Sequence, residues 1–145
     1  MTVSLYEWEP PDGVEMLIAW LAPLAAPGSC STEKPNGAPL PFIRVTRAGG
    51  TDDGYTDKGK FSIYLYTADE ATGQEFARQV KRRALLLCPR FGGQNPVTIS
   101  TGTFYASSIK IETPKPLGYV DDSIPRSMYL HQSICQMDLR IDFAT

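Results

Sequence analysis

The sequence is poor in the residues on which enzymes and metal sites usually depend. Its 145 residues include one histidine and three cysteines, and it has no G-x-S-x-G elbow. Cys30, Cys88 and Cys135 are too far apart for a metal-ligand spacing, and their odd number suits a reducing compartment. We interpret Cys88 and Cys135 as small buried hydrophobic residues, and the lone His131 as a structural or exposed polar side chain. The sequence therefore predicts no enzyme, no catalytic residue, no cofactor and no metal.

Long apolar segments and a basic excess are also missing. No stretch approaches the roughly 18 apolar residues of a membrane span, and the start, MTVSLYEWEPPDG, lacks the basic head and apolar core of a secretory signal. The formal net charge is -2, whereas a dedicated nucleic-acid binder normally carries a basic excess. We therefore expect a cytoplasmic location, no membrane contact and no sequence-specific binding of DNA.

The composition of the chain is that of a folded domain, and two of its segments have helical patterns. Hydrophobic residues make up 42%, so we expect residues 1–145 to form one domain. Asp12 can cap a first helix from Gly13 to about Leu24. Its broad apolar face favours packing on a sheet, and the alternative places Trp20 against a neighbouring subunit. The T-A-D-E segment at 67–70 fits a capping box and predicts a second helix to about residue 87. Helical spacing predicts an inward face made of Phe76, Ala77, Val80, Ala84 and Leu87.

Alternating hydrophobic and polar residues predict the strands. The segments 48–59 and 113–126 are rich in turn-forming residues, and we interpret both as long loops. In the fourth predicted strand, Tyr105, Ile109 and Ile111 form the better-buried side. The predicted order is α-β-β-α-β-β-β, an α+β fold with an antiparallel or mixed sheet covered by two helices. The predicted strands are residues 41–47, 60–67, 97–100, 103–112 and 128–143.

Three acids lie in the glycine-rich segment, namely Asp52, Asp53 and Asp57. They lack the alternating ligands and the closing Glu of an EF-hand, so we interpret them as solvated turn acids. Repeated around a ring, they would form a negative rim that repels DNA phosphates.

A basic cluster follows on the second helix. It is a weak candidate for a nucleic-acid patch, because no aromatic platform accompanies it. We interpret it as a solvated helix face, and the alternative is pairing with acids of a neighbouring copy. Its members are Arg78, Lys81, Arg82, Arg83 and Arg90.

Three segments together resemble the tail terminator proteins of bacteriophages with long non-contractile tails (siphoviruses), especially those infecting actinobacteria. They are PPDGVEMLIAWLAPLA from Pro10, VTRAGGTDDGYTD with the strand and helix that follow it, and GYVDDSIPR from Gly118. The resemblance implies a hexameric ring without catalytic residues. Such a ring caps the tail tube, ends polymerisation of the major tail tube protein and joins the tail to the head connector or stopper protein. DNA passes through the lumen without sequence-specific binding.

The same resemblance implies assembly in the host cytoplasm and a place at the tail-neck junction of the virion. We expect the subunit or tail/neck interface to include Trp20, Asp52, Asp53, Asp57, Arg78 and Arg82. Either the neighbourhood of Trp20 or the final strand would form the seam between subunits. We expect Trp20→Ala to weaken assembly without unfolding the protomer. The alternatives are a head-tail neck adaptor, a small cytoplasmic ligand-binding domain, and an enzyme built around His131.

Overall fold

The described part of the chain forms a seven-stranded mixed β-sheet with two α-helices. The computed structural model describes residues 10–35, 37–52, 56–89, 93–120 and 128–143, without the side chains at 120 and 140–143. The elements, in chain order, are α1 Gly13–Leu21, a 3-10 turn Ala22–Leu24, β1 Cys30–Ser31, β2 Phe42–Asp52, β3 Thr56–Thr67, α2 Glu70–Leu85, β4 Val97–Ile99, β5 Gly102–Ile111, β6 Lys115–Val120 and β7 Met128–Phe143.

The strand order across the sheet is β1-β2-β3-β7-β5-β4, and β6 also pairs with β7. The β1–β2 pair is parallel and the other pairs are antiparallel. β7 is therefore central, because β3 lies along one side of it while β5 and β6 share the other. The prediction that the final strand provides a seam is wrong, since both of its edges are already paired within the chain.

Both predicted helices exist, and their local chemistry explains their bounds. Asp12 accepts a hydrogen bond from the Val14 backbone N–H at 2.9 Å, which confirms it as the cap of α1. α1 ends at Leu21, earlier than predicted, because Pro23 has no N–H to continue the helical ladder. α2 is capped by Asp69, whose carboxylate accepts from the Thr72 N–H at 2.8 Å.

The prediction that Thr67 caps the second helix is therefore wrong. Thr67 belongs to β3 and donates its hydroxyl to the backbone oxygen of Asp69 at 3.1 Å. A carboxylate directly before the first turn also interacts favourably with the helix dipole, which favours Asp69 in this position. The helix start moves by two residues, and the inward face predicted for α2 is confirmed. Its buried residues are Phe76, Ala77, Val80 and Ala84, with Leu87 just beyond the helix.

The segment 48–59 is mostly strand and not the predicted long loop. Gly49 pairs with Lys60, and Asp52 pairs with Asp57, so the β2–β3 hairpin extends to the ends of both strands. A β-bulge after Arg47 accommodates the glycines. Gly50 has a φ of 105°, which side chains other than glycine rarely adopt, so glycine here maintains the strand pairing where a different residue would strain it.

Two strands were absent from the prediction, and one predicted face is wrong. β1 has only two residues, and β6 contains a proline inside the segment interpreted as a loop. In β5, bulges place Phe104 and Ala106 in the core, so Tyr105 is not on the buried side. After the bulges, Ile109 and Ile111 return to the core-facing side, as predicted.

One hydrophobic core joins α1, α2 and the facing side of the sheet. Met16, Leu17 and Leu21 of α1 are fully buried against Val45, Ile63 and Leu65 of the central strands, among others. Burial of this kind is the main favourable term in folding. Glu15 connects α1 to the β4–β5 turn, because its carboxylate accepts a hydrogen bond from the Ser100 N–H at 2.7 Å. These contacts fix the position of α1 on the sheet.

Candidate assembly interface

Trp20 joins the ends of the two helices. Its Nε1–H donates to the backbone oxygen of Arg83 at 2.6 Å, and the Nε–H of Arg83 donates to the backbone oxygen of Trp20. The Arg83 guanidinium carbon lies 4.2 Å from the centre of the indole ring, a cation–π contact. Trp20 is thus half-buried and bonded within its own chain. These contacts argue against the expectation that Trp20→Ala leaves the protomer intact.

The two acids of the hairpin that the structure describes, Asp52 and Asp57, have different environments. Asp57 is 5% exposed, and its two carboxylate oxygens accept from the Arg47 guanidinium at 2.7 and 2.6 Å. The interpretation of Asp57 as a solvated turn acid is therefore wrong, and its charge is compensated within the chain. Asp52 is exposed at the end of β2. Asp53 lies outside the described residues.

The basic cluster of α2 divides into residues with partners and residues that face solvent. Arg78 forms an i,i+3 ion pair with Glu75 at 3.2 Å, and Lys81 donates to the Thr113 hydroxyl at 2.8 Å. Arg82 is exposed on the same outer side, while Arg83 turns towards Trp20. Arg90 lies outside the described residues. An exposed i,i+3 pair contributes little to stability, so the ion pair with Glu75 leaves Arg78 accessible to a partner. Arg82 is accessible because its side chain is exposed.

The acids of the hairpin and the arginines of α2 cannot meet within one chain. Asp57 and Leu65 are eight residues apart on β3, about 27 Å along an extended strand. Leu65 pairs with His131 of β7, and His131 lines the same groove as Arg78. Any pairing between these two sets of charges therefore has to form between copies of the chain.

His131 is 2% exposed and lies at the bottom of a groove between α2 and β6 of about 450 Å³. Desolvation holds the pKa of His131 below its ordinary value, against a smaller opposing effect of Glu70. The imidazole Nδ1 has no hydrogen-bond partner in the described part of the chain. The nearest serine along β7, Ser133, donates its hydroxyl to the Glu112 backbone oxygen and not to the imidazole. Ser133 therefore forms no relay with His131 in the part of the chain that the structure describes.

The cysteines are free, and their burial differs. Cys135 is fully buried, as predicted, and burial raises the pKa of its thiol to about 12. Cys88 is only half-buried, so its prediction as a core residue is wrong. Burial raises the pKa of the Cys30 thiol to about 11. Among the described residues, no three or more His, Cys, Asp or Glu side chains are grouped closely enough to hold a metal ion.

Sequence reasoning missed the exposed apolar residues. Leu85 and Leu86 at the end of α2 are 41% and 47% exposed, and Leu117 and Tyr119 of β6 are 48% and 52% exposed. The signal for the first pair was the run of three leucines at 85–87, since helical spacing turns only part of such a run inwards. The second pair had no signal, because β6 itself was interpreted as a loop.

Comparison with known proteins gives a likeness in structure and none in sequence. No protein-family model matches the sequence, and no curated protein matches it. The fold is similar to that of a chain in the solved structure of the virion of the native gene transfer agent particle, with a TM-score of 0.50 and 16% sequence identity. The match covers 94% of this chain and 92% of that chain. In the part of the chain that the structure describes, no helix is long and apolar enough to cross a membrane.

Proposed function

We propose that this chain, as a single domain, is a structural protein of a phage-like virion that caps the tail tube as a hexameric ring. In that role it ends polymerisation of the major tail tube protein and joins the tail to the head connector. The observation that carries the proposal is the likeness in fold to a virion chain over 94% of this chain. The three sequence segments that resemble tail terminators support the same role, and they narrow it to the end of the tail.

Surfaces on the described residues suit a protein that works by contact. A closed ring needs two different surfaces on each subunit, one for each neighbour. Asp52 is exposed at the hairpin end of the sheet, while Arg78 and Arg82 face outwards near the other end, so the two ends present charges of opposite sign. Arg47 already compensates the charge of Asp57, so Asp57 is not part of the proposed interface. Trp20, Asp53 and the contacts to tube and neck proteins remain part of the proposal.

A head-tail neck adaptor of the same particle is the second candidate, because the likeness to a virion chain supports it equally. Both candidates act without a chemical step. In both, the protein is assembled in the host cytoplasm and becomes part of the virion. The two candidates predict different lengths of the tail tube when the protein is missing.

The test is electron microscopy of lysates from a phage in which the gene for this chain is inactivated. A tail terminator predicts unattached tubes of irregular and excessive length, because nothing ends polymerisation. A neck adaptor predicts unattached tails of normal length. Normal, fully joined particles that lack the chain would contradict both candidates. Complementation with the wild-type gene is the control for effects on neighbouring genes.

A further inference from the structure

The large hydrophobic side chains that are exposed in the described ranges form two separate patches. The first, which we call the leucine patch, consists of Leu85 and Leu86 at the end of α2. The second, the tyrosine patch, consists of Leu117 and Tyr119 on β6. Exposed leucine and tyrosine side chains in clusters are typical of protein–protein contact sites. A single exposed hydrophobic residue is ordinary on a protein surface, whereas two exposed hydrophobic residues close together in the sequence indicate a contact site.

The two patches lie at opposite ends of α2. The leucine patch lies at the last turn of the helix. In the tyrosine patch, Tyr119 packs edge-on against Tyr129, with ring centres 5.0 Å apart. Tyr129 lies near the start of α2, because it pairs with Thr67 of β3, three residues before Glu70. α2 is 16 residues long, so the two patches are separated by about 24 Å.

Charges next to the patches are complementary. Arg82 precedes Leu85 and Leu86 by three and four residues, so it shares their helix face. Glu70 is exposed beside the tyrosine patch. One end of α2 therefore presents a cation with apolar side chains, and the other end presents an anion with apolar side chains. The two ends of α2 on different copies can therefore pair, and when each copy uses its two ends for two different neighbours the contact is the head-to-tail one that closes a ring.

We propose that successive copies of this chain associate through the leucine patch of one copy and the tyrosine patch of the next. Arg82 lies opposite Glu70 of the neighbouring copy in this contact, and Leu85 and Leu86 cover Leu117 and Tyr119. The inference rests on the proposed function only in that it requires the protein to assemble with itself. It adds the two surfaces that form the seam.

Disulfide trapping tests this contact. The variant Leu86→Cys/Tyr119→Cys is oxidised at high protein concentration and analysed by non-reducing electrophoresis. The two new thiols are about 24 Å apart within one chain, far beyond the reach of a disulfide, so any bond between them joins two copies. We expect a ladder of cross-linked species up to the hexamer. Each single variant should give at most dimers, and the wild-type chain measures the background from its three native cysteines.

A position control and a charge control complete the experiment. Leu86→Cys combined with Lys58→Cys, an exposed position on β3, should give no ladder. In the trapping variant, Arg82→Glu should slow ladder formation several-fold, and adding Glu70→Arg should restore it. The absence of species above dimer in the trapping variant would overturn the proposed seam, and so would an equal ladder from the Lys58→Cys control. Neither result would contradict the proposed function, which fails if the chain is absent from virions.

Discussion

Replacing Trp20 by alanine is the change that most sharply tests how the two helices are held together. The substitution removes the indole ring that Arg83 covers at 4.2 Å and the N–H that bonds to the Arg83 backbone oxygen. It leaves a half-buried gap between α1 and α2. The Arg83 carbonyl also loses its partner, and part of the charged side chain loses the aromatic surface beneath it.

The expected loss of stability is about 3 kcal/mol. A fully buried tryptophan costs about 3–5 kcal/mol when replaced by alanine, and a half-buried one costs about 2 kcal/mol on the same scale. The lost hydrogen bond adds about 1 kcal/mol. For a chain of this size, each kcal/mol lowers the melting temperature by about 3 °C, so the total shift is about 10 °C.

The assay is thermal unfolding followed by circular dichroism, with urea unfolding as a check on the free energy. Trp20→Phe is the matched variant, since it keeps an aromatic ring but removes the donor, and it should cost about 1 kcal/mol. Arg82→Ala, one residue from the partner arginine but exposed, should stay within about 0.5 kcal/mol of the wild type.

A Trp20→Ala protein that melts within about 2 °C of the wild type would refute this reasoning, because a shift that small is below 1 kcal/mol. It would also return Trp20 to the role of a pure interface residue. If the large shift is found, loss of assembly by Trp20→Ala cannot be assigned to the seam. The milder Trp20→Phe variant is then the right one for assembly measurements.

Three further changes give independent tests. Gly13→Ala places a methyl group 2.2 Å from a phenyl carbon of the core and should cost about 1–3 kcal/mol in thermal unfolding, whereas Gly93→Ala, with open space around it, should cost little. Asp57→Asn weakens the bidentate ion pair between the buried Asp57 and the partly exposed Arg47 and should cost about 1–3 kcal/mol, whereas Glu75→Gln, which weakens the exposed pair with Arg78, should change the stability by less than about 0.5 kcal/mol. Because burial lowers the pKa of His131, the unfolded chain takes up a proton before the folded one does, so stability should fall as the pH drops below about 6.5. The urea midpoint of His131→Gln should change less between pH 8 and pH 5, and an equal pH dependence in both proteins would contradict this assignment.

The sequence predicted the long, strongly periodic elements well. Asp12 before an amphipathic run located α1, and the alternation along β7 located the longest strand. The inward face of α2 followed from helical spacing alone. These signals are local, so they could be found without knowing which element packs against which.

Features that depend on pairing could not be predicted in this way. A bulge in β5 changes which residues face the core after Phe104, and periodicity cannot locate such a shift. β6 was missed because its proline suggested a loop, although an edge strand tolerates proline. Nothing in the alternation of β7 indicates that this last strand lies at the centre of the sheet.

The candidate interface was predicted in part for the same reason. Residue type identified Arg78 and Arg82 as exposed helix charges, and the structure places both on the outer side of α2. Asp57 was assigned to solvent because its partner, Arg47, lies on the preceding strand across the hairpin. The leucine and tyrosine patches depend on which side chains the fold leaves uncovered. That information exists only once the helices and strands are packed.

The most direct test of the central claim is a cryo-electron microscopy reconstruction of intact virions from a phage that encodes this chain. Our account predicts density for the fold, in a six-fold ring, where the tail tube meets the head connector. Virions that contain no copy of the chain, or that carry it elsewhere than at this junction, would contradict the account.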